Sequence, residues 1–242
     1  MPPLVVLADA NVLVKDVVSF AFYDLAQAKL IDLRWTPQIE AEYVKHRARL
    51  RAEANGREVE MADWVWATNR LKPIKKYLVP NFLPTQWDKD GNRLAELEGD
   101  AALASLKELK DPDDVHVALA AADWARSTGQ EVLLATENLK DLPAKVLEPF
   151  KVTPLHPGDV LYLAFLADPD GVSESLKKTA ADFKDPAFSL TDMLCSIASP
   201  QQFDHLDLAA ELAQRWGQPV PKSRKSRTRK TASPGATRTP SG

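Results

Sequence analysis

The carboxylates of this chain are the residues whose types and spacing could do chemistry. In Asp111-Pro112-Asp113-Asp114 three acids occupy four positions, and an apolar, alanine-rich run from Val115 to Ala122 follows at once. Asp111 suits a helix N-cap with Pro112 at the first helical position. Val115, Ala118, Leu119 and Ala122 then fall at i, i+3, i+4 and i+7, the spacing of a buried helical stripe. The helix dipole favours an acid in the first turn by about 0.3–1 kcal/mol, which accounts for one of the three. Three together repel one another. A hard cation taking oxygen ligands is the more economical explanation of the set.

Other acids stand where they could join them. Leu4-Val-Val-Leu-Ala8 is a short continuous apolar run that reads as a buried parallel strand, and Asp9-Ala10-Asn11 interrupts it. An Asp directly after such a strand lies at the carboxyl edge of the sheet, where open α/β folds bind ligands; a helix cap or turn explains it equally well. Thr36-Pro37 opens a helix that carries Glu40 and Glu42, two residues apart and about 200° apart on the wheel, so both cannot face one site. Glu42 lies closer to the buried side marked by Ile39 and Tyr43. Glu131 to Ala135 is a second buried strand, followed by Thr136-Glu137-Asn138-Leu139-Lys140-Asp141, where Asn138 and Asp141 would share a face if a helix starts there.

The elements that must position these acids alternate. Strands are expected at residues 4 to 8, 33 to 35, 131 to 135 and 151 to 153. Helices are expected at 16 to 31, from 36 through Tyr77, at 94 to 109 and from 112 onward, with a loop at 81 to 91. That alternation predicts an α/β fold with a central parallel sheet flanked by helices. After His156-Pro157-Gly158 the pattern becomes purely helical, in four segments (160–166, 173–183, 190–197 and 206–216) separated by Pro169, Pro186 and Pro200. The domain division is therefore 1–156, then a helical extension over 157–217, then a basic tail over 218–242 expected to be disordered.

Composition narrows the class. One cysteine in 242 residues rules out a disulfide framework within the chain and suits a reducing, cytoplasmic setting. No apolar stretch approaches a membrane span. The formal net charge is −3, yet from Lys222 onward the chain carries seven Lys or Arg and no acid, so the part before it carries −10. A nucleic-acid substrate would have to be held by local basic residues and bound cations rather than by bulk field. Arg47, Arg49, Arg51, Lys75 and Lys76, interleaved with Trp64 and Trp66, are candidates for gripping a single strand; a solvated helix face with core tryptophans is the competing reading.

Four segments thus deliver an acid near a strand end or helix start: Asp9, Glu42, Asp114 and Asp141. Oxygen donors of this kind suit Mg²⁺ or Mn²⁺, which support phosphodiester hydrolysis without a protein nucleophile. Scattered His and Cys disfavour zinc. Together, residues 5–13 (VVLADANVL), 35–42 (WTPQIEAE), 111–117 (DPDDVHV) and 136–143 (TENLKDLP) resemble a PIN domain of the VapC type, the toxin ribonuclease of bacterial toxin–antitoxin pairs. The resemblance covers residues 3 to 156. It implies a PIN-like three-layer fold in which Asp9, Glu42, Asp114 and Asp141 form the acidic, Mg²⁺- or Mn²⁺-binding catalytic pocket. It selects Asp114 over Asp113 and Glu42 over Glu40, makes Asn11, Asp113, Thr136 and Asn138 supporting residues, and leaves Asp111 a helix cap. It further implies an RNA substrate (tRNA or rRNA), a cognate antitoxin and a homodimer. Two other functions keep the same acids: a catalytically silent PIN-like scaffold and a structure-specific DNA nuclease.

Overall fold

The computed structural model describes residues 3–87, 92–184 and 186–221. Four short strands form one all-parallel sheet: β1 (Leu4–Ala8), β2 (Ile31–Arg34), β3 (Val132–Ala135) and β4 (Val152–Leu155), in the order β2-β1-β3-β4. Leu7 pairs with Arg34 on one side and with Leu134 on the other. All four residues of β3 are buried, as are Val5 to Ala8 of β1, because both strands lie inside the sheet with helices on each face. Pro154 falls on β4, an edge strand, where a missing N–H leaves no ladder bond broken.

The chain leaves β1 toward β2 through α1 (Ala10–Leu13) and α2 (Asp16–Gln27). It returns from β2 across β1 to β3 through α3 (Pro37–Ala54), α4 (Met61–Pro73), α5 (Asn92–Gly99) and α6 (Val115–Thr128), then reaches β4 through α7 (Ala144–Leu147). These connections run in opposite directions from the centre of the sheet. Right-handed crossovers therefore place α2 on one face and α6 and α7 on the other. The reversal falls between β1 and β3, and there the carboxyl ends of parallel strands open a crevice.

Residues 157–217, expected as a helical extension, are helical: α8 (Pro157–Ala167), α9 (Pro169–Asp182), α10 (Leu190–Ile197) and α11 (Leu206–Trp216). They are also part of the main core. α8 packs on β3 and β4, α9 packs on α2, and one continuous buried cluster runs from Val5 to Ala213. Polar contacts pin the layer. Buried Asp24 of α2 accepts from Thr179 Oγ1 (2.7 Å) and pairs with Lys178, both on α9.

Three expected elements are subdivided. The long helix predicted through Tyr77 breaks between α3 and α4, where Gly56 takes a left-handed φ of +65° and Glu60 with Asp63 forms a capping box for α4. The helix predicted over 94–109 ends at Gly99. Asp100 then caps a 3₁₀ stretch, Ala101–Glu108, by accepting from Ala102 N. The helix predicted to 31 ends at Gln27, because Lys29 adopts a left-handed φ of +60° and Ile31 already belongs to β2. Residues 88–91 of the expected loop, and the tail from 222 on, lie outside the described residues. Among the described residues no helix is long and apolar enough to cross a membrane.

The α8 layer closes tightly at its first turn. His156 Nδ1 lies 2.9 Å from the Phe203 carbonyl oxygen, and a Cβ placed on Gly158 would stand 1.8 Å from that same oxygen. Backbone cannot yield there as a flexible side chain would. Gly158→Ala is expected to cost at least about 2 kcal/mol, at the scale of core overpacking, and to lower the melting temperature by roughly 4–8 °C for a chain of this size. Gly99→Ala, with nothing within 4 Å of the added carbon, should leave it unchanged. Equal melting temperatures for the two variants would contradict the close approach.

Candidate metal centre at the carboxyl edge of the sheet

The site starts where β1 and β3 stop. Asp9 N still donates to Ala135 O (3.0 Å), so the ladder carries one residue past the strand, and Asp9 then acts as the N-cap residue of α1. Its side chain makes no capping bond. Instead Asp9 Oδ2 accepts from Asn11 Nδ2 (2.6 Å) and from Thr136 Oγ1 (2.8 Å), the latter on the residue that directly follows β3. The same Thr136 hydroxyl oxygen accepts from Asn138 N (3.0 Å), while Asn11 Oδ1 accepts from Glu137 N (3.2 Å). The loop after β3 is thereby stapled to the loop after β1.

The staple leads to the third acid. Asn138 Nδ2 donates to Asp114 Oδ2 at 2.6 Å. Asp114 closes the single 3₁₀ turn Pro112–Asp114 that opens α6. Asn138 O accepts from Asp141 N and Leu142 N, both at 3.2 Å, so Asn138 and Asp141 share one isolated turn rather than a helix. One carboxylate oxygen from each of Asp111, Asp114 and Asp141 lies within 4.8 Å of the others, and these three residues could hold a metal ion.

Asp111 was expected to be only a helix cap. It is a cap, accepting from Asp113 N at 3.0 Å, and it also stands in this trio. The signal was present in the sequence: residues three apart across one helical turn share a face. Asp113 is exposed and contributes charge to the neighbouring acids.

Electrostatics show how the remaining acids converge. Burial first, then the charges of Asp9, Asp111, Asp141 and Asp113, push the Asp114 carboxyl up to about 6. Burial and then Asp9, Asp113 and Asp114 push Glu42 on α3 up to about 7. Asp9 is also raised by its burial, against the hydrogen bond from Thr136. Asp9 and Glu42 therefore feel the charge of this region, but the acids within ligand distance of one another are Asp111, Asp114 and Asp141. Glu40 is committed elsewhere, accepting from Trp35 Nε1 (2.9 Å) and Lys75 Nζ (2.8 Å).

His116, which sequence reasoning passed over, also faces the site. Its Nε2 lies 3.7 Å from Glu42 Oε2 and is buried without a hydrogen-bond partner among the described residues. Burial lowers its proton affinity, against the charges of Asp9 and Asp113, and its own charge in turn lowers Asp9. A single polar residue between Val115 and Val117, two positions after Asp114, was the available hint.

The basic candidates are dispersed. Arg47 is buried, donating to Val14 O (3.0 Å) and to Asp16 Oδ1 (2.5 Å). Arg47, Arg51 and Arg70 stand 5.0–5.7 Å from the ring of Trp66, a structural arginine–tryptophan stack. Arg51 also pairs with buried Asp63, and Arg49 pairs with Glu53 on the outer surface of α3. Lys75 and Lys76 line a cavity of about 630 Å³ with Arg34 and Lys72, on the β2 side of α3. None of the five touches the acid cluster.

Crowded acids and a bound cation make opposite demands on protons. The carboxyls of Glu42 and Asp114 bind protons more tightly folded than unfolded, because their ordinary values lie near 4. Their stabilising contribution is therefore full below about pH 4 and is lost as pH rises through about 6 and 7. In EDTA the melting temperature should fall between pH 5 and pH 8, and Glu42→Gln should reduce that fall. Mn²⁺ at about a hundredfold over its dissociation constant adds about 2.7 kcal/mol, roughly 5–10 °C here. That gain should be larger at pH 8 than at pH 5, as differential scanning fluorimetry would read. Equal gains at both pH values would count against metal binding by these acids.

Compared with protein-family models, with curated proteins and with solved structures, the chain matches none.

Proposed function

We propose that this chain is a divalent-metal-dependent endoribonuclease of the PIN-domain, VapC-like kind, in which Asp9, Glu42, Asp114 and Asp141 hold Mg²⁺ or Mn²⁺. The observation that supports the reading is the gathering of Asp111, Asp114 and Asp141 within 4.8 Å of one another, with Asn138 holding Asp114 and linked through the Thr136 hydroxyl to Asp9. The donor set is all oxygen, which suits a hard cation. Carboxyls raised to about 6 and about 7 are those a nearby positive charge would relieve. The chemistry such an ion supplies is activation of a water and neutralisation of charge on the scissile phosphate.

The protein's own residues supply the geometry. Asn11 and Thr136 fix which oxygen of Asp9 is engaged, leaving the carboxylate one orientation. Asn138 does the same for Asp114. Lys110 Nζ, 3.5 Å from Asp141 Oδ1, places a mobile cation at the rim. The biological setting that goes with this reading is a toxin acting on tRNA or rRNA and silenced by a cognate antitoxin protein.

The test is cleavage of single-stranded RNA by the full chain with and without Mn²⁺. Asp9→Asn and Asp114→Asn should each lower metal-stimulated cleavage by at least about a hundredfold, in line with losing a ligand or an electrostatic stabiliser. Thr136→Val, which removes a bond to Asp9 without removing an acid, should lower it about tenfold or more and weaken metal binding. Wild-type protein that leaves RNA intact in Mn²⁺, or Asp114→Asn protein that cleaves at the wild-type rate, would refute the assignment.

A further inference from the structure

We propose that the cavity beside Asp141 seats a nucleotide of a single-stranded RNA next to the acid cluster, with Lys110, Lys140 and Lys145 gripping its phosphates. The inference rests on the nuclease reading and assigns the part of the substrate seat that the acids cannot provide. Acids that gather a metal also repel a polyanion, and the chain before Lys222 carries −10. Substrate must therefore be held by cations concentrated locally.

This cavity meets that requirement. It is about 490 Å³, within the range of small-ligand clefts. Three lysines line it against two acids, Glu108 and Asp141. Asp141 also belongs to the trio with Asp111 and Asp114, so a ligand in the cavity shares a wall with the candidate metal centre.

The lysines are available. Among the described residues Lys140 and Lys145 make no ion pair and no side-chain hydrogen bond, and both are exposed. The Lys110 side chain is 87% exposed, and its one ion pair among the described residues is with Asp141, at 3.5 Å. A cation drawn to Asp141 would free Lys110 for a phosphate. Phe150, half-buried at the end of the turn before β4, gives the cavity an aromatic wall of the kind on which bases stack.

The seat also explains a feature of the chain order. Lys110 directly precedes the acid-bearing turn 111–114, and Lys140 directly precedes Asp141. The backbone that delivers Asp111 and Asp141 therefore delivers a cation one residue away.

Fluorescence anisotropy with a labelled twelve-nucleotide single-stranded RNA tests this on the full chain in EDTA, where binding is read without metal-stimulated cleavage. Lys140→Glu/Lys145→Glu should weaken binding at least tenfold and flatten the salt dependence by about 1.4 in log–log slope, about 0.7 per lost phosphate contact on a single strand. Lys140→Arg/Lys145→Arg should bind as wild type. Lys29→Glu/Lys177→Glu, an equal charge change at the end of α2 and on α9, should lose far less and controls for bulk charge and for the basic tail.

Equal losses in the two charge-reversed proteins would overturn the seat. Equal binding of a DNA strand of the same sequence, lost equally in Lys140→Glu/Lys145→Glu, would overturn the RNA assignment. The underlying reading fails separately. Wild-type protein that binds through these lysines but never cleaves in Mn²⁺ keeps the seat and discards the nuclease. Cleavage with an unchanged KM in Lys140→Glu/Lys145→Glu keeps the nuclease and discards the seat.

Discussion

The register of β1 against β3 is the constraint on which the site depends. Val6 opposite Leu133 and Ala8 opposite Ala135 put Asp9 and Thr136 side by side just beyond the ladder. From that point a chain of short hydrogen bonds, Thr136 to Asp9 and Asn138 to Asp114, carries the alignment across to α6. Each bond lies in the 2.6–2.8 Å range of charge-assisted contacts. A slip of one residue would carry Asp9 away from Thr136 and break the bond between them. The core and the acid cluster are thus specified together.

The cluster is held in tension by that core. Left to themselves the carboxylates would separate, and burial raises their proton affinity rather than dispersing them. What prevents dispersal is packing away from the site. Val117 to Ala125 is buried without interruption, because the sheet covers one side of α6 while α5 and the following 3₁₀ stretch cover the other. Even Asp123 is enclosed there, paired with Arg93 (2.6 Å) and accepting from the indole N–H of Trp87 (3.2 Å). A helix fixed so firmly cannot move its first turn to relieve repulsion, so relief comes from protons or from a cation.

Much of this was legible in the chain itself. Uninterrupted apolar runs at 4–8 and 132–135 name the two central strands, since only strands covered on both faces lose their alternation. Thr36-Pro37 and Asp111-Pro112 announce helix starts by local chemistry alone, and both caps form as expected. Less legible were features set by distant partners. The breaks at Gly56 and Asp100 depend on a capping box and an Arg126 ion pair rather than on periodicity. The arginines near Trp66 looked like a binding face because sequence cannot show that Arg47 turns inward to Asp16. His116 and the second role of Asp111 were hidden for the same reason: each depends on what α3 and the loop after β3 bring to them.

The helices after residue 157 bear on what counts as one unit of this protein. Because α8 lies on β3 and β4, and α9 is locked to α2 through Asp24, they form the second cover of the sheet that carries Asp9 and Thr136. A chain ending at 156 would bare the part of β3 and β4 that α8 covers. The acid-bearing sheet and the helices through Trp216 thus share one core. Separating α9 from α2 would loosen the support beneath Asp9 and Thr136 without touching a carboxylate.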